Sequence, residues 1–146
     1  MLDYKMSQSI YNQDNTFGHE REKLVVKYLN ENGFQEDNFK LFNYKYSTYD
    51  MRNNQYIAEL KSRRCLKETY PDTMVGYNKI KEAEEEKSDK IYRFYFLFND
   101  FKLYYWDFKE GEYEIRRGGR HDRGRAEVKM YAYINCDKLI LVDTIV

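Results

Sequence analysis

The segment at residues 44–64, YKYSTYDMRNNQYIAELKSRR, decides the fold, because it has the pattern of two β-strands joined by a tight turn. The residues of its second run alternate, which places Glu59 and Lys61 on one face of a strand. Asp50 in the first run falls on that same face when the two runs pair. The segment therefore predicts two carboxylates and one lysine on a single patch of a strand pair, the Asp50–Glu59–Lys61 patch.

The turn between the two runs sets their alignment. Asn53-Asn54 stands between them, and Asn tolerates the positive φ that a two-residue hairpin loop requires. Such a loop pairs Asp50 with Ile57 and makes Asp50 the diagonal neighbour of Glu59, about 7 Å away. The spacing thus predicts that the two carboxylates lie within reach of one ligand.

A helix is predicted upstream of the hairpin, from Thr16 to about Asn32. Thr16 is a suitable N-cap, and Gly33 follows the last turn. The apolar residues at helical spacing are Phe17, Leu24, Val25, Tyr28 and Leu29. This stripe is the face on which the helix is expected to pack.

Glu20 falls on that apolar stripe, whereas Glu22 and Lys23 fall outside it. A carboxylate on a buried face needs a partner. Glu20 either points into the Asp50–Glu59–Lys61 patch or lies at the rim in the first turn, where the helix dipole favours a negative charge. The stripe alone leaves both positions open.

The rest of the chain predicts an α/β fold, a mixed central β-sheet flanked by helices with extra C-terminal β-hairpins. The nearly continuous apolar run Ile91–Phe98 is typical of a central buried strand. The other predicted elements are a strand region from Phe34 to Met51, a helix opened by Pro71 over Thr73–Lys87, strands at Lys102–Phe108, Tyr113–Arg117 and Glu127–Ile134, and an edge strand at Leu139–Val142. No repeat or linker divides the chain, so we expect one domain spanning residues 1–146.

Composition excludes little beyond membrane and secretory classes. The 25 basic and 25 acidic residues cancel, so net charge identifies no partner. Cys65 and Cys136 are far apart and no secretory signal precedes them, which favours reduced thiols in an intracellular protein, cytoplasmic or nuclear. No apolar run approaches about 18 residues, so no membrane span is expected. The Tyr, Asn, Lys and Ile bias indicates an AT-rich genome, for which a viral protein in a host cell is one source.

The chemistry of the Asp50–Glu59–Lys61 patch suits a hard divalent cation. Mg²⁺ takes oxygen ligands, and Mn²⁺ is a usual substitute. A bound Mg²⁺ lowers the pKa of an attacking water and polarises a phosphate, while a neighbouring lysine orients or deprotonates that water. Asp50 and Glu59 are the expected metal ligands, Lys61 the assisting group, and Glu20 the contribution of the helix.

The Glu-x-Lys triplet is weak evidence alone, because it also occurs at Glu85–Lys87 and Glu127–Lys129. Glu85 lies in a polar helix tail, where residues i and i+2 do not share a face. Glu127 lies on a predicted strand, with only Asp122 in the preceding loop as a second carboxylate. The triplet at Glu59 is favoured, since an aspartate faces it across a hairpin.

A basic segment near the C-terminus is a candidate contact for nucleic acid. The run 116–125, RRGGRHDRGR, contains five arginines against one aspartate. Arginines on a glycine-rich loop are suited to phosphate contacts, although a solvated hairpin tip is the alternative. The candidate nucleic-acid-binding residues are Arg116, Arg117, Arg120, Arg123 and Arg125, together with Lys79 or Asn78 on the second helix.

The order of these residues resembles the PD-(D/E)XK nuclease superfamily, which has the restriction-endonuclease-like fold. The stretch from Gly18 to Phe34, followed by Asp50 and by Ala58–Arg64, is similar to the N-terminal half of archaeal-type Holliday junction resolvases. The resemblance implies that Asp50 and Glu59 bind Mg²⁺, that Lys61 assists the water and that Glu20 helps with the metal. Tyr49 stands where many members have proline, and the aromatic second half departs from the resolvases.

The sequence therefore predicts a Mg²⁺-dependent nuclease that hydrolyses DNA, with an endonuclease favoured over an exonuclease. A catalytically silent module that binds nucleic acid or protein on the same fold is the alternative from another class, and a nuclease acting on RNA is a third. The interpretation is compatible with a homodimer. Clustered carboxylates favour the enzyme, because a pure phosphate-binding surface gains nothing from them.

Overall fold

The computed structural model describes residues 18–32, 38–41, 49–85, 89–120 and 127–145. The helix α1 covers residues 18–32. It is followed by β1 (Lys40–Leu41), β2 (Met51–Arg52), β3 (Tyr56–Ser62), a 3₁₀ turn (Lys67–Thr69), β4 (Asp72–Gly76), α2 (Tyr77–Glu85), β5 (Ile91–Leu97), β6 (Lys102–Asp107), β7 (Glu114–Arg120), β8 (Glu127–Asn135), a second 3₁₀ turn (Cys136–Lys138) and β9 (Ile140–Thr144).

A mixed six-stranded sheet, with strands in the order β1-β2-β3-β5-β6-β9, forms the centre of the fold. The strands β3 and β5 are parallel, and the other neighbours are antiparallel. The predicted apolar strand is β5, and its side chains are buried from Tyr92 onward except at Arg93. The α/β class and the central position of the hairpin strand β3 are therefore confirmed.

The two faces of this sheet are covered by different elements. The face that carries Ala58 and Leu60 packs against α1 through Val25, Val26 and Leu29. The opposite face, lined by Phe94, Phe96 and Trp106, packs against α2 and a second sheet. Because side chains alternate along β3, Glu59 and Lys61 lie on the α2 side.

The second sheet has three antiparallel strands in the order β4-β8-β7. The long helix predicted over Thr73–Lys87 is wrong in its first part, because Asp72–Gly76 is the strand β4 and only Tyr77–Glu85 is helical. Thr73 and Val75 point inward and are buried while their neighbours are not. This period of two, with β-branched residues at the buried positions, favours a strand over a helix.

The hairpin between β2 and β3 has a longer loop than predicted, and its register differs by two residues. Met51 pairs with Ala58 and Arg52 with Ile57. The side-chain oxygen of Asn53 accepts hydrogen bonds from the backbone N–H groups of Gln55 and Tyr56, at 2.9 and 2.7 Å. This Asx turn produces a four-residue loop. A slip of two residues keeps every side chain on its predicted face, and it brings Asp50 opposite Glu59.

The remaining predictions hold in part. The strands β6, β7, β8 and β9 match predicted segments within a few residues, and β9 lies at the edge of the main sheet as expected. Thr16, Gly33 and most of the region 34–48 lie outside the described residues. Among the described helices, none is long and apolar enough to cross a membrane.

Candidate active site

The carboxylate of Asp50 is fixed at the end of β2 by the backbone of β3. Asp50 Oδ2 accepts a hydrogen bond of 2.8 Å from the backbone N–H of Leu60. The backbone N–H of Asp50 donates to the carbonyl oxygen of Ala58, at 3.1 Å. These two bonds hold Asp50 beside the middle of β3, at the level of Glu59.

Glu59 is the most deeply buried carboxylate of the described site, with 3% of its surface exposed. Each of its oxygens lies near an ammonium group: Lys61 Nζ is 3.1 Å from Oε1, and Lys79 Nζ is 3.1 Å from Oε2. Burial raises the pKa of Glu59 above its ordinary value, and Asp50 acts in the same direction, whereas both lysines lower the pKa. A buried carboxylate between two cations is a costly arrangement, which marks it as a functional candidate.

The helix contributes Glu22 to this cluster and not Glu20. Glu20 is exposed, whereas Glu22 is half-buried and hydrogen bonds to Asp50 through its side chain. Burial raises the pKa of Glu22 to about 7, with further contributions from the neighbouring charges of Asp50 and Glu59. The placement of Glu20 at the patch is therefore wrong, and the rim position that the stripe also allowed is the one it takes.

The reason lies in the angular position of the buried stripe. Its centre is formed by Val25, Val26 and Leu29, which are buried, while Leu24 and Tyr28 are only partly so. Glu22 stands three and four residues before the two valines and seven before Leu29, and it thus lies on this face. The spacing of these three residues is the sequence signal that points to Glu22, whereas a stripe defined by Phe17 and Tyr28 as well is centred nearer Glu20.

Lys79 reaches the cluster from α2, and Tyr49 supports it there. The hydroxyl of Tyr49 donates to the backbone carbonyl of Lys79 at 2.6 Å, and its ring centre lies 5.3 Å from Lys79 Nζ. Tyr49 is buried and packs edge-on against Tyr92 and Phe94. The residue that stands in place of the usual proline thus anchors α2 beside Asp50, a role that sequence reasoning missed.

The chemistry of the oxygen donors fits a hard divalent cation. Glu22, Asp50 and Glu59 supply carboxylates from three different elements, and such oxygens are the ligands that Mg²⁺ takes. Burial and, after it, the neighbouring carboxylates Asp50 and Glu59 raise the pKa of Glu22 and so disfavour its charged form, a cost that a bound cation would relieve. Within the described residues, however, no three or more His, Cys, Asp or Glu side chains stand ready to hold a metal. The side chains fit Mg²⁺ by type, and hydrogen bonds and lysine contacts engage the oxygens of Asp50 and Glu59 in this structure.

The competing triplet and the described part of the basic run, residues 116–120, lie on the second sheet. The backbone of Glu127 pairs with that of Arg120 across the β7–β8 hairpin, in a different sheet from β2 and β3. Arg116, Arg117 and Arg120 belong to the strand β7 and not to a flexible loop, which corrects the prediction for that part of the run. Arg123 and Arg125 lie outside the described residues.

Arg116 is already engaged with protein groups. Its Nη2 donates to Asp72 Oδ2 at 2.6 Å, its Nε lies 3.6 Å from Glu114 Oε2, and its guanidinium lies 3.9 Å from the centre of the Tyr133 ring. These contacts are intramolecular and compete with a phosphate for the same donors. Lys79, in contrast, contacts Glu59 and so lies in the cluster of Asp50 and Glu59.

Comparison with protein families gives a match to a model described as "Phage putative PDDEXK endonuclease", over residues 19–139. Comparisons with curated proteins and with solved structures give no match, and a likeness to Holliday junction resolvases is not found. The matched region contains Glu22, Asp50, Glu59, Lys61 and Lys79. Since the match covers well over half of the sequence and the whole of the cluster, the chain belongs to the phage PDDEXK endonuclease family.

Proposed function

We propose that this protein is a Mg²⁺-dependent nuclease that hydrolyses phosphodiester bonds within DNA strands. The observation that carries the proposal is the convergence of Glu22, Asp50 and Glu59 beside Lys61, on a chain of this family. A surface that only binds nucleic acid has no use for three carboxylates, since they repel phosphate. A hydrolytic site does need carboxylates, because a cation held by them provides Lewis-acid and water-activating chemistry.

The proposed role of each residue of the site follows from how deeply its side chain is buried. Asp50 and Glu59 are the proposed metal-binding residues, and Glu22 takes the place assigned to Glu20 beside them. Lys61 is the partly exposed member, with 35% of its side chain accessible against 4% for Glu59. This exposure supports the proposed role of Lys61, which is to meet a water and a phosphate from solvent, to move a proton and to offset negative charge in the transition state.

Lys79 has a different part, because its side chain is only 16% exposed and is packed on Tyr49. We assign it the positioning of Glu59, whose second oxygen it contacts. An ammonium fixed there lowers the pKa of Glu59 and so acts against the burial that raises it, since an opposite charge within a few ångströms favours the charged form. This assignment refines the expectation that Lys79 contacts nucleic acid directly.

The test is cleavage of a covalently closed circular DNA with Mg²⁺, with Mn²⁺ and with EDTA. A circle has no ends, so its conversion to open or linear forms requires an endonuclease. We expect cleavage with either metal and none in EDTA, and a loss of about 10²-fold in rate for Lys61→Ala. Lys27→Ala, an exposed lysine on the outside of α1, is the matched control and should cleave normally.

Parallel substrates separate the alternatives. Cleavage of RNA in preference to DNA of the same sequence would replace the DNA proposal with the RNA one. Tight binding of DNA with no cleavage under any metal condition, by a folded protein, would favour a silent binding module. Cleavage that persists in EDTA would remove the metal from the proposal.

A further inference from the structure

A cavity of about 270 Å³ lies between the two sheets, and nothing in the site described above makes use of it. One side is formed by residues that follow β3 and β5, among them Cys65 and Phe98. The other side is formed by residues of the second sheet, including Met74 on β4 and Tyr133 on β8. The cavity thus begins past the carboxyl ends of two adjacent parallel strands, a place where ligands bind in open α/β sheets.

Two contacts place the cavity on the same side of β3 as the candidate active site. Lys79 Nζ lies 3.1 Å from Glu59 Oε2, and Arg63, which lines the cavity, donates from Nη2 to the carbonyl oxygen of Met74. The segment from β4 into α2 therefore runs along the face of β3 between these two points. Arg63 follows Lys61 by two residues, which is about 7 Å along a strand. The cavity is consequently the next feature along the strand from the catalytic candidates.

The aromatic walls of the cavity are held in place by their packing. The guanidinium of Arg116 lies 3.9 Å from the centre of the Tyr133 ring, and a Cβ atom at Gly118 would come within 2.5 Å of the Tyr133 hydroxyl oxygen. Phe98 is buried and packs edge-on against Tyr104, with 5.7 Å between the ring centres. A ligand thus meets rings that are already fixed, which lowers the cost of ordering them on binding.

The ring at the opening of the cavity is different, because it is accessible. Tyr70 lines the cavity while 62% of its surface is exposed, the largest exposure among the large hydrophobic residues of the described chain. An aromatic ring in this position stabilises a flat ligand by stacking. The opening therefore favours a planar group over a branched apolar one.

The charges around the cavity fit a ligand that carries phosphate. Arg63 and Lys67 both line it, and Lys67 Nζ lies 5.5 Å from the centre of the Tyr104 ring. The carboxylate of Asp72, which also lines the cavity, is engaged by Arg116 at 2.6 Å. The volume is slightly below the roughly 300–1,000 Å³ of sites for drug-sized ligands. A single planar ring system with a phosphate at the opening matches this size and charge.

We propose that the cavity takes one unpaired nucleobase of the substrate strand, from a nucleotide near the scissile bond. The proposal rests on the proposed nuclease function and names its substrate class, which is DNA with unpaired nucleotides at the cleavage site. A base inside a duplex is paired and stacked, so it enters a pocket only where the strand is already open or where the base is swung out. Because every base has a flat face, recognition by stacking tolerates all four bases.

The test compares two DNA duplexes that differ in one base. Each has a single unpaired nucleotide in the middle of one strand, and in the second duplex that nucleotide is abasic. Affinity is measured in EDTA, so that no metal-dependent cleavage occurs. The wild-type protein should bind the duplex with the base about 10-fold more tightly, because a base–aromatic stacking contact is lost in the abasic one. Tyr70→Ala should bind both duplexes equally, since it lacks the ring at the opening.

Two further variants keep the result interpretable. Tyr70→Phe retains the ring and should keep the preference for the duplex with the base. Leu141→Ala removes a side chain of similar exposure, 53%, from the edge strand β9 and should behave as the wild type does. Circular dichroism establishes that each variant is folded.

The cysteines report occupancy of the cavity without reference to affinity. The chain has two, Cys65 and Cys136, and both line the cavity. Saturating duplex with the unpaired base should slow alkylation of the partly exposed Cys65 by iodoacetamide, and saturating abasic duplex should slow it less. Mass spectrometry of the peptides separates the two cysteines.

Equal affinity of the wild type for the two duplexes would overturn the proposal, and so would a preference that Tyr70→Ala retains. A preference that depends on Tyr70, together with no cleavage by the wild type in Mg²⁺, would retain the base pocket and reject the nuclease. Cleavage in Mg²⁺ without such a preference would do the reverse. The two proposals therefore fail separately.

Discussion

The same triplet, Glu-x-Lys, occurs on β3 and on β8, and the two regions differ in what surrounds it. On β3, Glu59 is buried and receives side chains from β2, β3 and α2. On β8, the backbone of Glu127 lies in register with that of Arg120 on the neighbouring strand, and the lysine of the triplet, Lys129, is exposed. The comparison teaches that the triplet alone does not make a site, and that convergence of charged groups from several elements in a buried place does.

The cations of the two regions differ in the same way. Lys79 is packed on Tyr49 and neutralises a carboxylate inside the molecule. Arg116 pairs with Asp72 and Glu114 at the surface, where its side chain remains 45% exposed. Surface pairs contribute little to stability and are screened by salt, while a buried pair controls protonation and position. Function is therefore expected at the first region and at most substrate contact at the second.

The strongest test of the comparison is to remove the carboxylate from each triplet. Glu59→Gln should lower the cleavage rate by about 10³-fold or more, because the Lewis-acid contribution of a metal is worth several kcal/mol and each 1.36 kcal/mol is tenfold. Glu127→Gln should cleave at the wild-type rate. The measurement is single-turnover cleavage with saturating DNA and Mg²⁺.

Binding of DNA in EDTA by Glu59→Gln should persist or tighten, since one negative charge near phosphate is lost. Wild-type activity in Glu59→Gln together with loss of activity in Glu127→Gln would reverse the assignment of the two regions.

Two glutamates on α1, Glu20 and Glu22, test how far the site extends onto this helix. Glu22→Gln should slow cleavage by about 10-fold, because it removes a carboxylate that interacts with Asp50 and Glu59. Glu20→Gln should have no effect, because Glu20 is exposed. Rates are compared at several Mg²⁺ concentrations, and a defect of Glu22→Gln that more Mg²⁺ relieves would indicate weakened metal binding. Equal rates for the two variants would confine the site to the hairpin and α2.

The raised pKa of Glu22 predicts how the stability of the metal-free protein depends on pH. Its value is about 7 in the folded state against an ordinary value of 4.5, so the folded protein binds more protons than the unfolded chain between these two values. The stabilising contribution is complete below about 4.5 and is lost as the pH rises through about 7. Glu22→Gln keeps the neutral form at every pH and should lack this dependence.

Denaturant unfolding in EDTA at about pH 5 and about pH 8 measures the effect. The difference in unfolding free energy between Glu22→Gln and wild type should increase in favour of the variant at the higher pH. Because Glu59 is also buried, part of the pH dependence should remain in the variant. A difference that is the same at both pH values would show that Glu22 titrates normally.

The main sheet could be predicted from the sequence because its signals are local and agree with each other. The apolar run of β5 and the alternation of β3 identify central strands without tertiary information. The segment 72–76 could not be assigned in this way, since Pro71 followed by Asp72 and Thr73 is as typical of a helix start as of a strand. Its strand state depends on burial of Thr73 and Val75 against β8, which only the folded chain provides.

Of the candidate site, the hairpin residues could be predicted and the helix residue could not. Asp50, Glu59 and Lys61 share a face in any register that differs by two residues, so the wrong loop length did not affect the prediction that they lie together. Glu20 and Glu22 differ by about 200° around the helix, and the choice depends on which apolar residues define the buried stripe. The role of Tyr49 depends on its contact with Lys79 thirty residues later, a pairing that no local pattern contains.

The smallest expected effect concerns the second region and asks whether its arginines contact DNA at all. Each phosphate contact that is lost lowers the slope of log affinity against log salt by about 0.9 on duplex DNA. Arg117 is exposed, and Arg117→Gln should reduce the slope by up to this amount if the β7–β8 hairpin meets the backbone. Arg116→Gln is the matched variant and should leave the slope unchanged, because the donors of Arg116 are already engaged by Asp72 and Glu114 in the wild type. A separate triple variant, with Arg120, Arg123 and Arg125 all replaced by Ala, should flatten the slope by about two to three units if all three contact phosphates. Affinity is measured in EDTA over a range of salt concentrations, with the single-turnover rate at saturating DNA as the second readout. An unchanged slope in the triple variant would make the hairpin a solvated surface, whereas a lost rate with normal affinity would bring this region to the scissile phosphate and remove the contrast between the two triplets.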